Sequence, residues 1–354
     1  MSAQKALDNV LPRLKEPGRV SLRTIEIRWG TLFITPWIIG FLLFTAGPMV
    51  VSLFLSFTDF SLLSNADPVW LGTQNYSNIL GLELKPLAQA NQNSAEVLDK
   101  GYAELMRVGN NVIGARDADF WISLRVTVLF AVIALPVGMV LSLCYALLLN
   151  NKVFGIRFFR TLIYSPVVVP TVVTAIIFLQ LLAKDQGWLN EALRIVGITG
   201  PDWLHRAEWI LLALVVVGLW TAGGSMLIYL AGLQSIPTEL YEAASIDGAG
   251  LWVRFRRITL PMLTPVILYD LVLGLIGTFQ YFSIPYVLTN GEGTPNKAAY
   301  FFNMYLFKSA FLYGKMGYAS ALAWILFIIV ITLTAIVFKT SGRWVFYAGG
   351  GKTA

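Results

Sequence analysis

Residues 241–261 read YEAASIDGAGLWVRFRRITLP, a polar, patterned stretch set between two long apolar segments. Residues 238–246 have the makings of about two turns of helix. Pro237 stands just before them, Glu239 and Glu242 lie near the positive N-terminal end, and Gly248 is placed to stop the helix. Leu240, Ala243 and Ala244 then share one face. Leu251, Phe255 and Ile258 recur at helical spacing and predict a second short helix, after which Pro261 suits the first turn of the next segment. The stretch is read as a knob of two short helices joined by a turn.

The segments on either side decide the fold class. The chain has 354 residues, of which 56% are hydrophobic and 13% charged, where soluble domains carry about a quarter charged residues. Windows of the roughly 20 apolar residues needed to cross a bilayer recur at residues 31–57, 124–149, 161–182, 209–233, 262–288 and 316–339. The expectation is an all-α integral membrane protein, a six-helix transmembrane bundle. Pro36, Pro48 and Pro136 fall inside spans, and Pro166 and Pro170 should kink the third. Residues 1–30 are basic (Lys5, Arg13, Lys15, Arg19, Arg23, Arg28) and show no cleavage-site pattern, so they read as a cytoplasmic tail and not as a signal peptide. Lys152, Arg157 and Arg160 then mark the loop after the second span as cytoplasmic, and alternation puts the loop at 234–261, with Arg254, Arg256 and Arg257, on the same side. Both termini are expected inside, with a second short tail at 340–354.

Several chemistries are set aside. The net charge of +6 is dispersed over short loops and is not gathered with aromatics into a nucleic-acid patch. Cys144 is the single cysteine and His205 the single histidine, and neither a GxSxG nor an HExxH pattern accompanies them. The terminal GGGKTA resembles a phosphate loop, but Phe346 stands where GxxxxGK[ST] requires glycine and no helix follows to hold phosphate. No cofactor or metal is expected on this chain.

Glu242, Ala243, Ala244, Gly248, Ile258, Leu260 and Pro261 match every element of the EAA loop of permease subunits in binding-protein-dependent ATP-binding cassette importers: Glu-Ala-Ala, three residues, Gly, nine residues, Ile-x-Leu-Pro. The flanking IPTELYEAASIDGAG and FRRITLPMLTP, WLGTQNYSNIL at 70–80, the trio Asp185, Gly187 and Asn190, and GYASALAWILF at the sixth span resemble the carbohydrate branch, and GEGTP at 291–295 departs from its Gly-Gly-Pro. The resemblance covers residues 31–339 and suggests the larger member of a permease pair. It implies a cytoplasmic coupling loop that sits in a cleft on an ATPase subunit, with Leu240 as apolar anchor, Ala243 and Ala244 allowing close approach, and Glu242 and Arg254 bonding at the rim. Pro261 would pass the motion into the fifth span. The implied partners are two ATPase subunits carrying ATP and magnesium, a second permease, an extracytoplasmic solute-binding protein and a sugar-like solute, all in the cytoplasmic membrane of a prokaryote.

The outside insertion at about 58–123 stands apart, and AEVLDKGYAELMRV at 95–108 has helix-forming composition. For the solute path, the intramembrane Asp270 should face a partner or water, because a carboxylate at the centre of a membrane helix costs roughly 2.5–3.5 kcal/mol on insertion scales. A structural hydrogen bond and solute contact both account for it. Gln280, Tyr281 and Phe282 pair an amide with aromatics, as suits a sugar, and Trp220, Thr221 and Ser225 lie at comparable depth; interhelical packing explains these residues equally well. A gradient-driven secondary transporter should show charged relays in several spans, whereas Asp270 stands alone. A membrane enzyme should show clustered polar groups at one interface, and an importer permease for a non-carbohydrate solute remains the nearer alternative.

Overall fold

The computed structural model describes residues 22–89, 92–151 and 154–347. Most of the basic N-terminal tail, Lys152 and the GGGKTA motif lie outside the described residues. The chain divides into two compact units, closing at Phe54 and opening at Leu55.

The described part of the first unit is a long apolar helix, α1 (Leu22–Phe41) running through a π-helical turn at Leu42–Ala46 into α2 (Gly47–Leu55). The π turn has a local cause. Pro48 lacks an N–H and its ring would press on the carbonyl four residues back, and widening the preceding turn so that Gly47 N–H reaches Leu42 O makes room. Large side chains such as Phe33 and Phe44 stay exposed, as suits a lipid-facing helix.

The second unit opens with α3 (Gln74–Leu80), which belongs to the WLGTQNYSNIL segment. Buried Asn75 donates to the carbonyls of Ser56 and Thr58, both at 2.9 Å, and so ties α3 to the chain that precedes it. The insertion is not helical. It folds as β1 (Leu82–Pro86), β2 (Ala103–Val108) and β3 (Asn111–Ala115), an antiparallel sheet in the order β1-β3-β2 with an irregularity between Glu104 and Met106. The helix expected at 95–108 is thereby corrected. Gly109, at φ +60°, supplies the left-handed first position of a two-residue hairpin turn between β2 and β3, and Val112 buries against Leu87 and Leu98 in a small core of its own.

The bundle follows. It comprises α4 (Ala118–Leu149), α5 (Ile156–Val168), α6 (Thr171–Leu181), α7 (Trp188–Ile195), α8 (Ala207–Trp220) and α9 (Gly223–Gln234). After these come α10 (Thr238–Ile246), α11 (Leu251–Arg254), α12 (Leu260–Phe279), α13 (Ser283–Leu288), α14 (Phe302–Phe307) and α15 (Met316–Ser341). Across the described residues four helices are long and apolar enough to cross a membrane, or six spans if each of two bent pairs counts once. Those pairs are the third and fourth spans. α5 and α6 meet at 100° and α8 and α9 at 50°, so the kink expected at Pro166 and Pro170 is a full break at Val169–Pro170. The fifth span also departs from expectation, because its helix ends at Phe279 and resumes at Ser283.

Two packed cores hold the bundle. One gathers Phe130, Phe178, Leu214, Phe279, Phe301, Phe302 and Leu322. The other gathers Ala146, Met226, Tyr229, Leu233 and Leu263, with Tyr241 and Ile258 packed against it.

Candidate functional site

The segment at 241–261 folds largely as its sequence dictates. α10 spans Thr238–Ile246 with Pro237 before it, and Gly248 takes φ +74°, a region where a Cβ is strained, although open space surrounds the position. Ala249 N–H closes the turn on Ala244 O at 2.8 Å. The second short helix is corrected: α11 does not stop, but passes through a π-helical turn at Phe255–Thr259 into α12, giving one continuous helix from Leu251 to Phe279. Leu260 N–H bonds to Phe255 O. Pro261 therefore sits inside this helix, just past its widened turn, and does not open a separate segment. Its geometry repeats that of Pro48.

Inner and outer faces of the knob differ. Tyr241 turns inward, its hydroxyl 2.9 Å from Thr259 Oγ1, and packs on the second core beside Ile258. Arg254 donates to Ala249 O at 2.7 Å and braces the turn, so it is a structural strut as well as a charge. Leu240, Glu242, Ala243, Ile246, Leu251 and Trp252 are exposed, with Ile246 87% and Leu251 85% accessible. Ala244 is half-buried. Exposed apolar side chains are thus concentrated on a short polar loop.

The solute-path residues separate into two groups. A cavity of about 250 Å³ lies among α4, the bend between α8 and α9, and α12, and it takes in Thr221, Asp270 and Tyr281 together with Ser225, Ser142 and the glycines Gly138, Gly274 and Gly277. It is slightly smaller than usual small-ligand pockets of roughly 300–1000 Å³. Asp270 is buried and accepts from Ser225 Oγ at 2.7 Å, beside the buried hydroxyl of Tyr229. Tyr281 stacks on Phe130 at 4.7 Å and meets Phe301 edge-on, and its hydroxyl is buried with no protein partner among the described residues. Ser142 Oγ donates to Ala222 O at 2.9 Å, satisfying a carbonyl at the bend of the fourth span.

Gln280, Phe282 and Trp220 are not among the residues that line this cavity. Gln280 is exposed, Phe282 packs on Tyr286 and Phe307, and Trp220 meets Phe178 edge-on. Ser142 and the lining glycines were not singled out from the sequence, because a serine and glycines in an apolar helix carry no signal of facing a void. Asn190 proves structural: its amide donates to the carbonyls of Lys184 and Pro201 and accepts from Trp203 Nε1 at 2.7 Å. In the GEGTP stretch, Gly291 and Gly293 are left-handed and Thr294–Pro295 is cis.

Residues 134–345 match the family described as binding-protein-dependent transport system inner membrane component. The chain belongs to that family. The matched region contains the whole knob and all of the cavity lining except Phe130, and leaves out the first span and the sheet insertion. The permease is 37% identical over 319 residues to the probable ABC transporter permease protein YesP of Bacillus subtilis, covering 90% of this chain and 92% of that one. It is also 35% identical to the lactose transport system permease protein LacF of Rhizobium radiobacter, over 65% of this chain and 78% of that one. The trehalose/maltose transport system permease protein MalF of Thermococcus litoralis is 36% identical, over 64% and 76%. Its fold is that of a chain in the crystal structure of a bacterial ABC transporter involved in alginate import, with a TM-score of 0.69 at 21% identity, over 91% of this chain and 98% of that one. The protein is a permease subunit of an ATP-binding cassette importer.

Proposed function

We propose that the permease passes a sugar or sugar-like solute from an extracytoplasmic binding protein to the cytoplasm by alternating access, driven by two separate ATPase subunits that grip the knob at 238–261. ATP and magnesium belong to those subunits, a second permease completes the pathway, and both termini of this chain lie in the cytoplasm of a prokaryotic cell. The observation that carries this reading is the continuity of the helix from Leu251 to Phe279. A partner that moves the exposed face of Leu240, Ala243 and Ile246 moves α11, and through the unbroken helix moves Asp270 at the cavity wall.

The named relatives for lactose and for trehalose/maltose support a saccharide as solute. The cavity's chemistry agrees: Tyr281 offers an unpartnered hydroxyl and an aromatic ring, while Ser225 and Asp270 offer acceptors for sugar hydroxyls. Coupling is tested in proteoliposomes carrying the assembled importer. Glu242→Ala and Gly248→Val should reduce ATP-driven uptake at least about tenfold, as loss of one rim bond or a strain of roughly 1–2 kcal/mol implies, with membrane insertion unchanged. Normal assembly and uptake in both variants would overturn the coupling role, and uptake driven by an ion gradient without ATPase would overturn the importer reading.

A further inference from the structure

A second and larger cavity, of about 470 Å³, opens beside the N-terminal end of α4, where α3, the strand end at Ala115, α14 and the start of α15 converge. Four charged side chains line it, and they are unequally satisfied. Asp117 is consumed by the fold: its Oδ1 accepts from Phe120 N at 2.9 Å as the helix cap, and its Oδ2 accepts from the hydroxyls of Tyr305, at 2.5 Å, and Tyr318. Asp119 is paired with Lys297. The two cations, Arg116 and Lys315, are exposed and have no side-chain hydrogen bond or ion pair among the described residues.

Asp119 is thus neutralised by Lys297, and the oxygens of Asp117, which keeps its charge, are taken up by three donors of the fold, while both cations remain available to something from outside. Asn78 adds a buried Oδ1 with no protein partner, an acceptor that calls for a hydroxyl or amide donor. Tyr313, 45% exposed, adds an aromatic ring at the rim. Burial first, and Asp117 second, push the Tyr305 hydroxyl well above its ordinary range, so it stays a donor fixed on Asp117 and takes no part in holding a ligand. A guest that offers a carboxylate to two cations, a hydroxyl to Asn78 and an apolar ring face to Tyr313 is an acidic sugar. Its size agrees, since the volume lies within the usual range for small-ligand pockets.

We propose that this cavity binds a carboxylate-bearing sugar unit, a uronic acid of a short saccharide, with Arg116 and Lys315 on the carboxylate and Asn78 on a ring hydroxyl. The site rests on the reading of the permease as part of a sugar importer and adds the class of sugar. It is separate from the cavity at Asp270, with which it shares no lining residue.

The test measures binding of galacturonate and glucuronate disaccharides to the full-length permease in nanodiscs, with the neutral galactose and glucose disaccharides as controls. The uronides should bind, the neutral sugars at least about tenfold more weakly, and Arg116→Gln and Lys315→Gln should each weaken uronide binding about tenfold, as loss of one charge-assisted bond implies. Asn78→Ala should weaken uronide and neutral sugar alike. Each variant is scored only on protein whose thermal unfolding matches the parent, and Lys315, exposed and unpaired, supplies the variant least able to disturb folding. Equal binding of charged and neutral disaccharides, or uronide binding indifferent to both cation variants, would overturn the proposal. So would cation variants that weaken docking of the solute-binding protein but not uronide binding. ATP-driven uptake of neutral sugar without uronide binding would sink the site and leave the importer reading standing, whereas uronide binding with no ATP-driven uptake of any sugar would do the reverse.

Discussion

Pro170 lies inside the third span and Pro261 at the start of the fifth, and one breaks its span while the other is absorbed. Before Pro170, Val169 takes extended backbone at φ −72°, ψ 127°, and the two halves meet at 100°. Before Pro261, Leu260 remains helical at φ −64°, ψ −46°, and the helix continues. Proline disfavours helical backbone in the residue before it, and at Pro261 the π turn at Phe255–Thr259 makes room for the ring. Sequence explains part of the choice: Val167, Val168 and Val169 are β-branched and favour extended backbone, whereas a leucine precedes Pro261. A proline at an apolar span can therefore make a joint, as at Pro170, or leave a stiff rod with a widened turn, as at Pro48 and Pro261.

Turning the rod into a joint should have the largest effect. Two glycines inserted after Thr259 should bring ATP-driven uptake to background while co-purification with the ATPase persists; uptake within about twofold of the parent would show that continuity of the helix is dispensable. Turning the joint toward a rod should do less. Pro170→Ala relieves Val169, and spin labels at Phe158 and Ile177, both exposed, should move apart, with uptake changed only a few-fold. An unchanged label distance would assign the bend to tertiary packing.

At the cavity wall, Asp270→Leu should destabilise the permease by about 1–3 kcal/mol, because Ser225 loses its acceptor. Asp270→Asn keeps an acceptor oxygen and should stay near the parent in thermal unfolding, so that any fall in uptake by that variant reports solute contact. The smallest effect belongs to the sheet. Arg107 beside Glu104 holds its carboxyl down to about 2. A depressed carboxyl contributes stability that is fully present above its ordinary value near 4.5 and is lost as pH falls toward 2. Hydrogen exchange of residues 103–115 should therefore quicken across that interval in the parent, and less so in Arg107→Gln.

The knob was legible because each of its devices is local: Pro237 before a helix, Gly248 at a left-handed stop, apolar residues on one face. Membrane spans were legible for the same reason, since composition alone sets them. Residues 95–108 were misread because their composition suits a helix, and the decisive signal, Gly109-Asn110 between Val108 and Val112, is a two-residue hairpin turn lying just past the window. The π turn before Pro261 has no sequence mark, being a response of the backbone to a proline that packing keeps helical. Of the proposed path, Asp270 and Tyr281 stood out by polarity or size, while Gly138 and Gly277 shape the cavity by what they lack.

The cavity beside the bend of the fourth span has a mechanical consequence. Close-packed interiors resist deformation because every displaced atom loses neighbours on all sides. The side chains bordering the cavity have protein neighbours on fewer sides than those in either core, so the bundle should yield most readily there, where the fourth span bends and Ser142 holds the carbonyl of Ala222. The two ends can tilt against each other as firm caps on a compliant middle, and each keeps its own packing as they move.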